Sequence, residues 1–223
     1  METGRVARQS GNLTSVAIVA APAFPPGFFD RADPGSDTEF YSWPRLVTHI
    51  DDRAIAAVGA LYEELGLDGE VLDLMSSWVS HFPTPPRRLV GLGLNASELA
   101  ANPMLTDRVV HDLNADPSLP FPDASLDNAT CCVSVDYLTE PVAVFREMAR
   151  VLRPGGRFVV TFSNRCFPTK AIRGWLATDD AQHVQIVAAY FALSGGFGPA
   201  RSERRTDPGR GDPLYAVWAA SSS

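Results

Sequence analysis

The alternation of short apolar runs with helix-spaced segments constrains this chain more than any other feature. Residues 70–75, 88–94, 108–113, 129–135 and 157–162 are runs of six or seven residues rich in Val, Leu and Phe. Runs this short and this apolar read as strands buried on both faces. Between them the apolar spacing becomes helical. Thr48 stands three residues before Asp51, the spacing of a capping box with Asp in place of Glu or Gln. Behind it Ile55, Val58, Tyr62 and Leu65 share one face, and Gly66 ends the helix. Asn95 and Glu98 open a second helix with capping-box spacing, and it stops before Pro103. Pro141 suits a first turn, with Val144, Phe145, Met148 and Leu152 on one face. Arg153-Pro154-Gly155-Gly156 then turns the chain sharply. Residues 76–81 leave room for about a turn and a half before Pro83, Pro85 and Pro86 forbid more helix. A long helix over 180–193 ends at Gly195-Gly196, and residues 201–205 and 214–219 pair as a closing hairpin. Strands alternating with helices give a parallel sheet covered on both faces. Such a sheet binds ligands at the carboxyl ends of its strands, where strand order reverses.

Composition narrows the function classes. Over 223 residues, 45% are apolar and 20% charged, enough for a proper core. The net charge of −7 provides no general basic surface for nucleic acid or an anionic membrane. Three cysteines cannot all pair within one chain, which points to a reducing compartment and a cytoplasmic protein. No apolar run reaches the roughly 18 residues of a membrane span. Within residues 1–24, Arg5 and Arg8 precede a short apolar stretch, Val16 to Ala21, in the manner of a secretion signal. Polar Asn12, Thr14 and Ser15 crowd that stretch, so a flexible leader or a loosely docked first strand is expected. Residues 25–47 are rich in Pro, Gly, Asp and aromatics and read as an irregular segment that wraps over something. Ser221, Ser222 and Ser223 are expected to fray.

Two stretches carry a family resemblance. Leu119-Pro120-Phe121-Pro122-Asp123-Ala124-Ser125-Leu126-Asp127 precedes the fourth strand, and Arg150-Val151-Leu152-Arg153-Pro154-Gly155-Gly156-Arg157 precedes the fifth. Together they resemble the class I S-adenosylmethionine-dependent methyltransferases, and most of all the type 11 group acting on small molecules. The resemblance covers residues 66–220. It implies a Rossmann-like α/β fold: a mostly parallel seven-stranded sheet with a C-terminal antiparallel hairpin and helices on both faces. Residues 1–47 become an N-terminal extension and lid candidate, and 48–220 the methyltransferase-like domain.

The resemblance also implies a cofactor, S-adenosylmethionine, on the loop after the first strand. The family reads acid-x-Gly-x-Gly-x-Gly there. This chain reads Asp73-Leu74-Met75-Ser76-Ser77-Trp78-Val79, with the acid kept and every glycine absent. Glycine serves such a loop because the backbone must approach the ligand closely, often with positive φ. The acid that takes the ribose in relatives matches Gly93; Asn95 is either a ribose ligand or only a helix cap. Asp112 matches the acid that meets the adenine amino group, and the Leu113 N–H matches the ring contact; a turn cap is the alternative for Asp112. Cys132 and Val133 match the wall along the methionine portion. Cofactor contacts are therefore expected from Asp73, Met75, Ser76, Ser77, Asn95, Asp112, Leu113, Cys132 and Val133. Candidate bases are Asp136 and His49, with Tyr137 as an orienting hydroxyl. Tyr41, Arg45 and Asn164 are candidate substrate contacts.

Other signals are discounted. Cys131 and Cys132 are adjacent in a strand and point to opposite faces, so they do not grip one metal ion with Cys166. Arg210-Gly211-Asp212 is hairpin-loop chemistry, and Arg201, Arg204 and Arg205 read as a solvated strand edge. The expected function is methyl transfer to a small-molecule acceptor, with no nucleic acid, membrane or metal partner. The alternative is a non-catalytic protein of the same fold that binds a small ligand or a protein partner.

Overall fold

A computed structural model describes residues 24–222. The leader or docked strand expected from residues 1–23 lies outside the described residues. Seven strands form one sheet: β1 (Glu70–Leu74), β2 (Arg88–Gly93), β3 (Asp107–Val110), β4 (Leu126–Cys132), β5 (Leu152–Phe162), β6 (Arg201–Arg204) and β7 (Tyr215–Ala220). Their order is β3-β2-β1-β4-β5-β7-β6. The first five run parallel, and β7 lies antiparallel between β5 and β6. The chain moves outward from β1 to β3 and then returns to β4. The reversal of strand order therefore falls between β1 and β4, and the register sets Asp73 of β1 beside Gly91 and Thr130.

Alternation along the strands builds two cores. Leu72, Leu74, Val90, Leu92, Phe158, Val160, Val217 and Ala219 face one side. There they pack on α4 (Pro141–Val151) and α6 (Asp180–Ser194), through Phe145, Met148, Tyr190 and Phe191. Val71, Leu89, Val159, Ala216 and Trp218 face the other side, against Ala54, Val58, Leu61 and Tyr62 of α2 (Asp52–Glu64). The period of two sends neighbouring side chains to opposite faces, so both faces need a helical cover. Shorter elements complete the set: α1 (Asp37–Phe40), α3 (Ala96–Ala101), α5 (Arg173–Leu176) and a 3₁₀ turn at Val135–Tyr137.

Several local expectations are corrected. Thr48 does not cap α2; Asp51 does, accepting the Ala54 N–H at 2.9 Å. No helix forms over 76–81, where serine side chains hold an irregular path instead. β3 ends at Val110, because Asp112 starts a turn there. β4 begins and ends three residues earlier than expected. Arg153 to Gly156 kinks the chain as expected, but as a four-residue bulge inside β5: Leu152 pairs with Leu126 and Arg157 with Asn128, and Gly155 takes φ 81°. Ser221 is not frayed: it is 4% exposed, and its N–H and C=O pair with Gly156 and Gly155. Arg205 is no solvated edge residue either, since it pairs with Glu64 and Glu203.

The ring cluster under the sheet sets a test of this packing. Phe145 is fully buried, with ring centroids 4.8–5.5 Å from Phe158, Tyr190 and Phe191. Phe145→Ala is expected to lower unfolding stability by about 3–5 kcal/mol in a urea titration; a loss below about 1 kcal/mol contradicts this core.

Candidate active site

The site begins at the end of β1. Asp73 is 6% exposed and lies on the α2 side of the sheet. Its Oδ1 accepts the Thr130 hydroxyl at 2.9 Å, and its Oδ2 accepts those of Ser76 at 2.7 Å and Ser80 at 2.6 Å. Burial raises its pKa, and the three hydroxyl donors oppose that rise. The loop leaving β1 is thus gathered around a carboxylate by serines.

Met75 shows how the loop manages without glycine. Its φ of 55° lies in the left-handed region, and its side chain packs on the main core. Ser76 then returns to the sheet, its N–H donating to the Leu92 carbonyl at 2.7 Å. The Ser76 carbonyl lies so close over Gly93 that a Cβ there would clash with it. The requirement for glycine has moved from the loop to the strand beneath it. Ser77 donates to Glu98 Oε2 at 2.7 Å, and Asn102 joins the Ser77 carbonyl to the Ser80 hydroxyl.

The other strand ends supply the remaining walls. Asn95 caps α3 through Oδ1, which accepts the Ser97 and Glu98 N–H groups, while its Nδ2 donates to the Tyr41 carbonyl at 2.7 Å. The cap reading of Asn95 is therefore realised, and its amide also holds the segment before α2. Asp112 likewise closes its own turn through Oδ1 and receives the Thr38 hydroxyl on Oδ2 at 3.4 Å. After β4, Val133 adopts φ 46°, a rare strain for a β-branched residue, with its N–H donating to the Thr161 carbonyl at 2.8 Å.

Residues 36–50 roof the cleft. The Arg45 guanidinium lies 4.7 Å from the Phe40 ring, 5.4 Å from Tyr41 and 5.6 Å from Phe167. The Arg45 N–H donates to Glu98 Oε1 at 2.6 Å, and the Trp78 indole donates to the Val47 carbonyl at 3.0 Å. His49 meets Phe167 edge-on at 5.3 Å. Burial lowers the pKa of His49 and of His81, which favours neutral imidazoles. The Tyr137 hydroxyl accepts the Phe167 N–H at 2.8 Å, and burial holds its pKa well above that of free tyrosine.

The cleft measures about 640 Å³. It brings together Tyr41, Arg45, His49, Asp73, Met75, Ser76, Ser77, Asn95, Asp112, Leu113, Cys132, Val133 and Tyr137. Two sequence candidates stand elsewhere. Asn164 is exposed and outside the lining, because the chain turns outward after β5. Asp136 is buried behind the wall at 2% exposure. The cavity also recruits Asp37, His81, Glu98, Asn114 and Phe167, which the sequence did not single out as site residues. Glu98 left a trace, as a first-turn acid three residues after Asn95, and Phe167 closes the stretch 163–167 expected at the cleft rim just past the fifth strand. Among the described residues no cluster of His, Cys, Asp or Glu is arranged to hold a metal ion, and no helix is long and apolar enough to cross a membrane.

Asp136 generates a pH test. Burial pushes its pKa up to about 8. Between its ordinary value near 4 and that value, the folded state holds a proton that the unfolded chain has released. Stability contributed by this group therefore falls as pH rises through that window, by at most about 1.4 kcal/mol per pH unit. Asp136→Asn is expected to flatten the decline between pH 5 and pH 8 in urea titrations; an unchanged slope refutes the assignment.

Comparison with known proteins agrees with the geometry. A family model described as a methyltransferase domain matches residues 75–160. Methyltransferase GfsG of Streptomyces halstedii is 29% identical over 150 residues, covering 60% of this chain and 54% of that protein. The ubiquinone/menaquinone biosynthesis C-methyltransferase UbiE of Hahella chejuensis is 32% identical over 125 residues, covering 53% and 47%. The chain thus spans about half the length of these curated relatives. The crystal structure of Burkholderia thailandensis 1,6-didemethyltoxoflavin-N1-methyltransferase, with 1,6-didemethyltoxoflavin and S-adenosylhomocysteine bound, superposes with a TM-score of 0.56. That pair is 17% identical over 78% of this chain and 80% of the other, a likeness of fold. The matched segment is similar to a methyltransferase domain, and the seven-stranded sheet that completes it has the α/β methyltransferase fold.

Proposed function

We propose that this chain is an S-adenosylmethionine-dependent methyltransferase acting on a small-molecule acceptor. One observation carries the reading: a roofed cavity of about 640 Å³ at the carboxyl ends of β1 to β4, where the strand order reverses. That volume suits a nucleoside together with a small acceptor. The residues fit the cofactor. The left-handed turn at Met75 and the bare strand at Gly93 keep the backbone path open at the end of β1. The Met75 side chain packs toward the core, and the Trp78 indole is tied to Val47.

Residues 73–77 and Asp112 would hold the nucleoside, with the Leu113 backbone along the ring and Cys132 and Val133 along the amino-acid portion. When bound, S-adenosylmethionine supplies a methyl group on an electrophilic sulfonium. The protein's part is to orient the acceptor and exclude water. Tyr41, Tyr137 and Phe167 form an aromatic wall for the acceptor. His49 has no hydrogen-bond partner among the described residues and suits removal of an acceptor proton. Asp136, outside the cavity, is a positioning residue that acts through the neighbouring Tyr137 and Tyr41 phenols, both kept protonated by burial. The cytoplasmic expectation belongs to this reading as well.

A second reading has one observation in its favour. Both polar ends of the Asn95 amide are already engaged, and both Glu98 oxygens are bonded within the protein, so no uncommitted acid meets a ribose at β2. A non-catalytic protein of the same fold would retain this arrangement.

Calorimetric titration separates the two. Micromolar Kd values for both S-adenosylmethionine and S-adenosylhomocysteine are expected, and silence for both favours the non-catalytic reading. Asp73→Asn is expected to lower cofactor affinity at least about tenfold while far-ultraviolet circular dichroism stays unchanged; undiminished affinity removes Asp73 from the site.

A further inference from the structure

Two arginines line the cavity, and they differ in one respect. Arg165 is paired with Asp212 at 2.8 Å. The Arg45 guanidinium has no carboxylate partner among the described residues. Its Nη2 donates to the Phe40 carbonyl at 2.9 Å, and its contact with Glu98 is made by the backbone N–H. Nη1 is shielded from solvent and has no hydrogen-bond partner. An unpaired guanidinium N–H out of water is costly, and such groups are rare unless something absent from the protein completes them. The aromatic faces of Phe40, Tyr41 and Phe167 offset part of that cost and hold the fork in plane.

The other charged groups of the wall do not take this role. Asp37 is neutralised by Arg31 at 2.7 Å and by Lys170 at 3.3 Å, and Asp73 and Asp112 carry the wrong sign for an anion. Lys170 is itself buried and committed to Asp33, Asp37 and the Gly35 carbonyl.

We propose that Arg45 is the carboxylate receptor of this cavity: a bound ligand presents a carboxylate that takes the Nη1 hydrogen bond. The proposal rests on the methyltransferase reading for one of its two sources, the amino-acid end of the cofactor. The other source is a carboxylate on the acceptor. Because the guanidinium bridges the roof to Phe167, the same contact would fasten the roof once the ligand is in place.

The test uses the full chain, with Arg45→Met and Arg45→Lys variants, and four calorimetric probes. S-adenosylhomocysteine carries the amino-acid carboxylate, and 5′-methylthioadenosine is the same nucleoside without it. Phenylacetate and benzyl alcohol form the matching pair for an acceptor. A fall of at least about tenfold for S-adenosylhomocysteine in Arg45→Met, with 5′-methylthioadenosine changed less than about twofold, supports the proposal and assigns the cofactor end. The same selective loss for phenylacetate over benzyl alcohol supports it and assigns the acceptor. Arg45→Lys, which keeps the charge without the fork, is expected to recover part of the lost affinity. Equal losses within both pairs would mean that Arg45 only braces the roof, and no selective loss in either pair overturns the proposal too. Wild-type silence toward both nucleosides defeats the cofactor reading alone, and the phenylacetate pair then decides the role of Arg45. Thermal unfolding of each variant confirms that a folded chain was titrated.

Discussion

The site depends on one buried carboxylate. Asp73 would be costly at 6% exposure were its lone pairs not filled, and Thr130, Ser76 and Ser80 fill them. Those three hydroxyls come from β4 and from two positions in the first half of the loop that follows β1. A single charge thereby ties together the two strands between which the strand order reverses, and it draws the intervening chain into a fixed path. The hydrogen bonds continue through Ser80 to Asn102, from Asn102 to Ser77, and from Ser77 to Glu98. Side-chain polar groups here do what a glycine-rich turn does with backbone alone.

This substitution of means has consequences one layer out. Because the loop is pinned by side chains, its backbone must lie against β2, and the Ser76 carbonyl occupies the space above Gly93. The strain that remains is concentrated in Met75 and Val133, at the ends of the neighbouring strands β1 and β4. Both residues contribute to the cavity lining. The roof is held the same way: Asn95, Glu98 and Asp112, all on the strand-end side, accept from or donate to residues 38–45. A second buried group of charges, Arg31, Asp37 and Lys170, anchors the start of that roof, with Asn114 linking Asp37 to the Tyr137 carbonyl. Cavity, loop and roof are therefore one connected polar network laid over two apolar cores.

The architecture was largely legible because it follows from period. Val71 against Leu72 and Val159 against Val160 announce a two-faced sheet, and the spacing of Val144, Phe145 and Met148 announces a covering helix. Boundaries were less legible where side chains compete with the backbone. Ser76 and Ser80 turn to Asp73 instead of continuing into a helix, Asp51 outcompetes Thr48 as a cap, and Asp112 ends β3 by bonding its own turn. Pro154 and Gly155 kink the chain as composition suggests, yet the kink is a bulge inside β5, with pairing to β4 resuming at Arg157.

The sequence alone determined the alternating order of strands and helices, the acid at the end of β1, and the loop stretches that mark the family, because periodicity and motif spacing are properties of neighbouring residues. Tertiary structure decided which of those residues share a cavity. It brought Arg45, His49 and Glu98 to the strand ends, sent Asn164 outward, and buried Asp136 behind Tyr137. The physical reason is that such contacts join groups dozens of residues apart, as between Arg45 and Glu98 or Thr38 and Asp112. Their formation depends on how the roof packs against the finished sheet, and no local pattern encodes that docking.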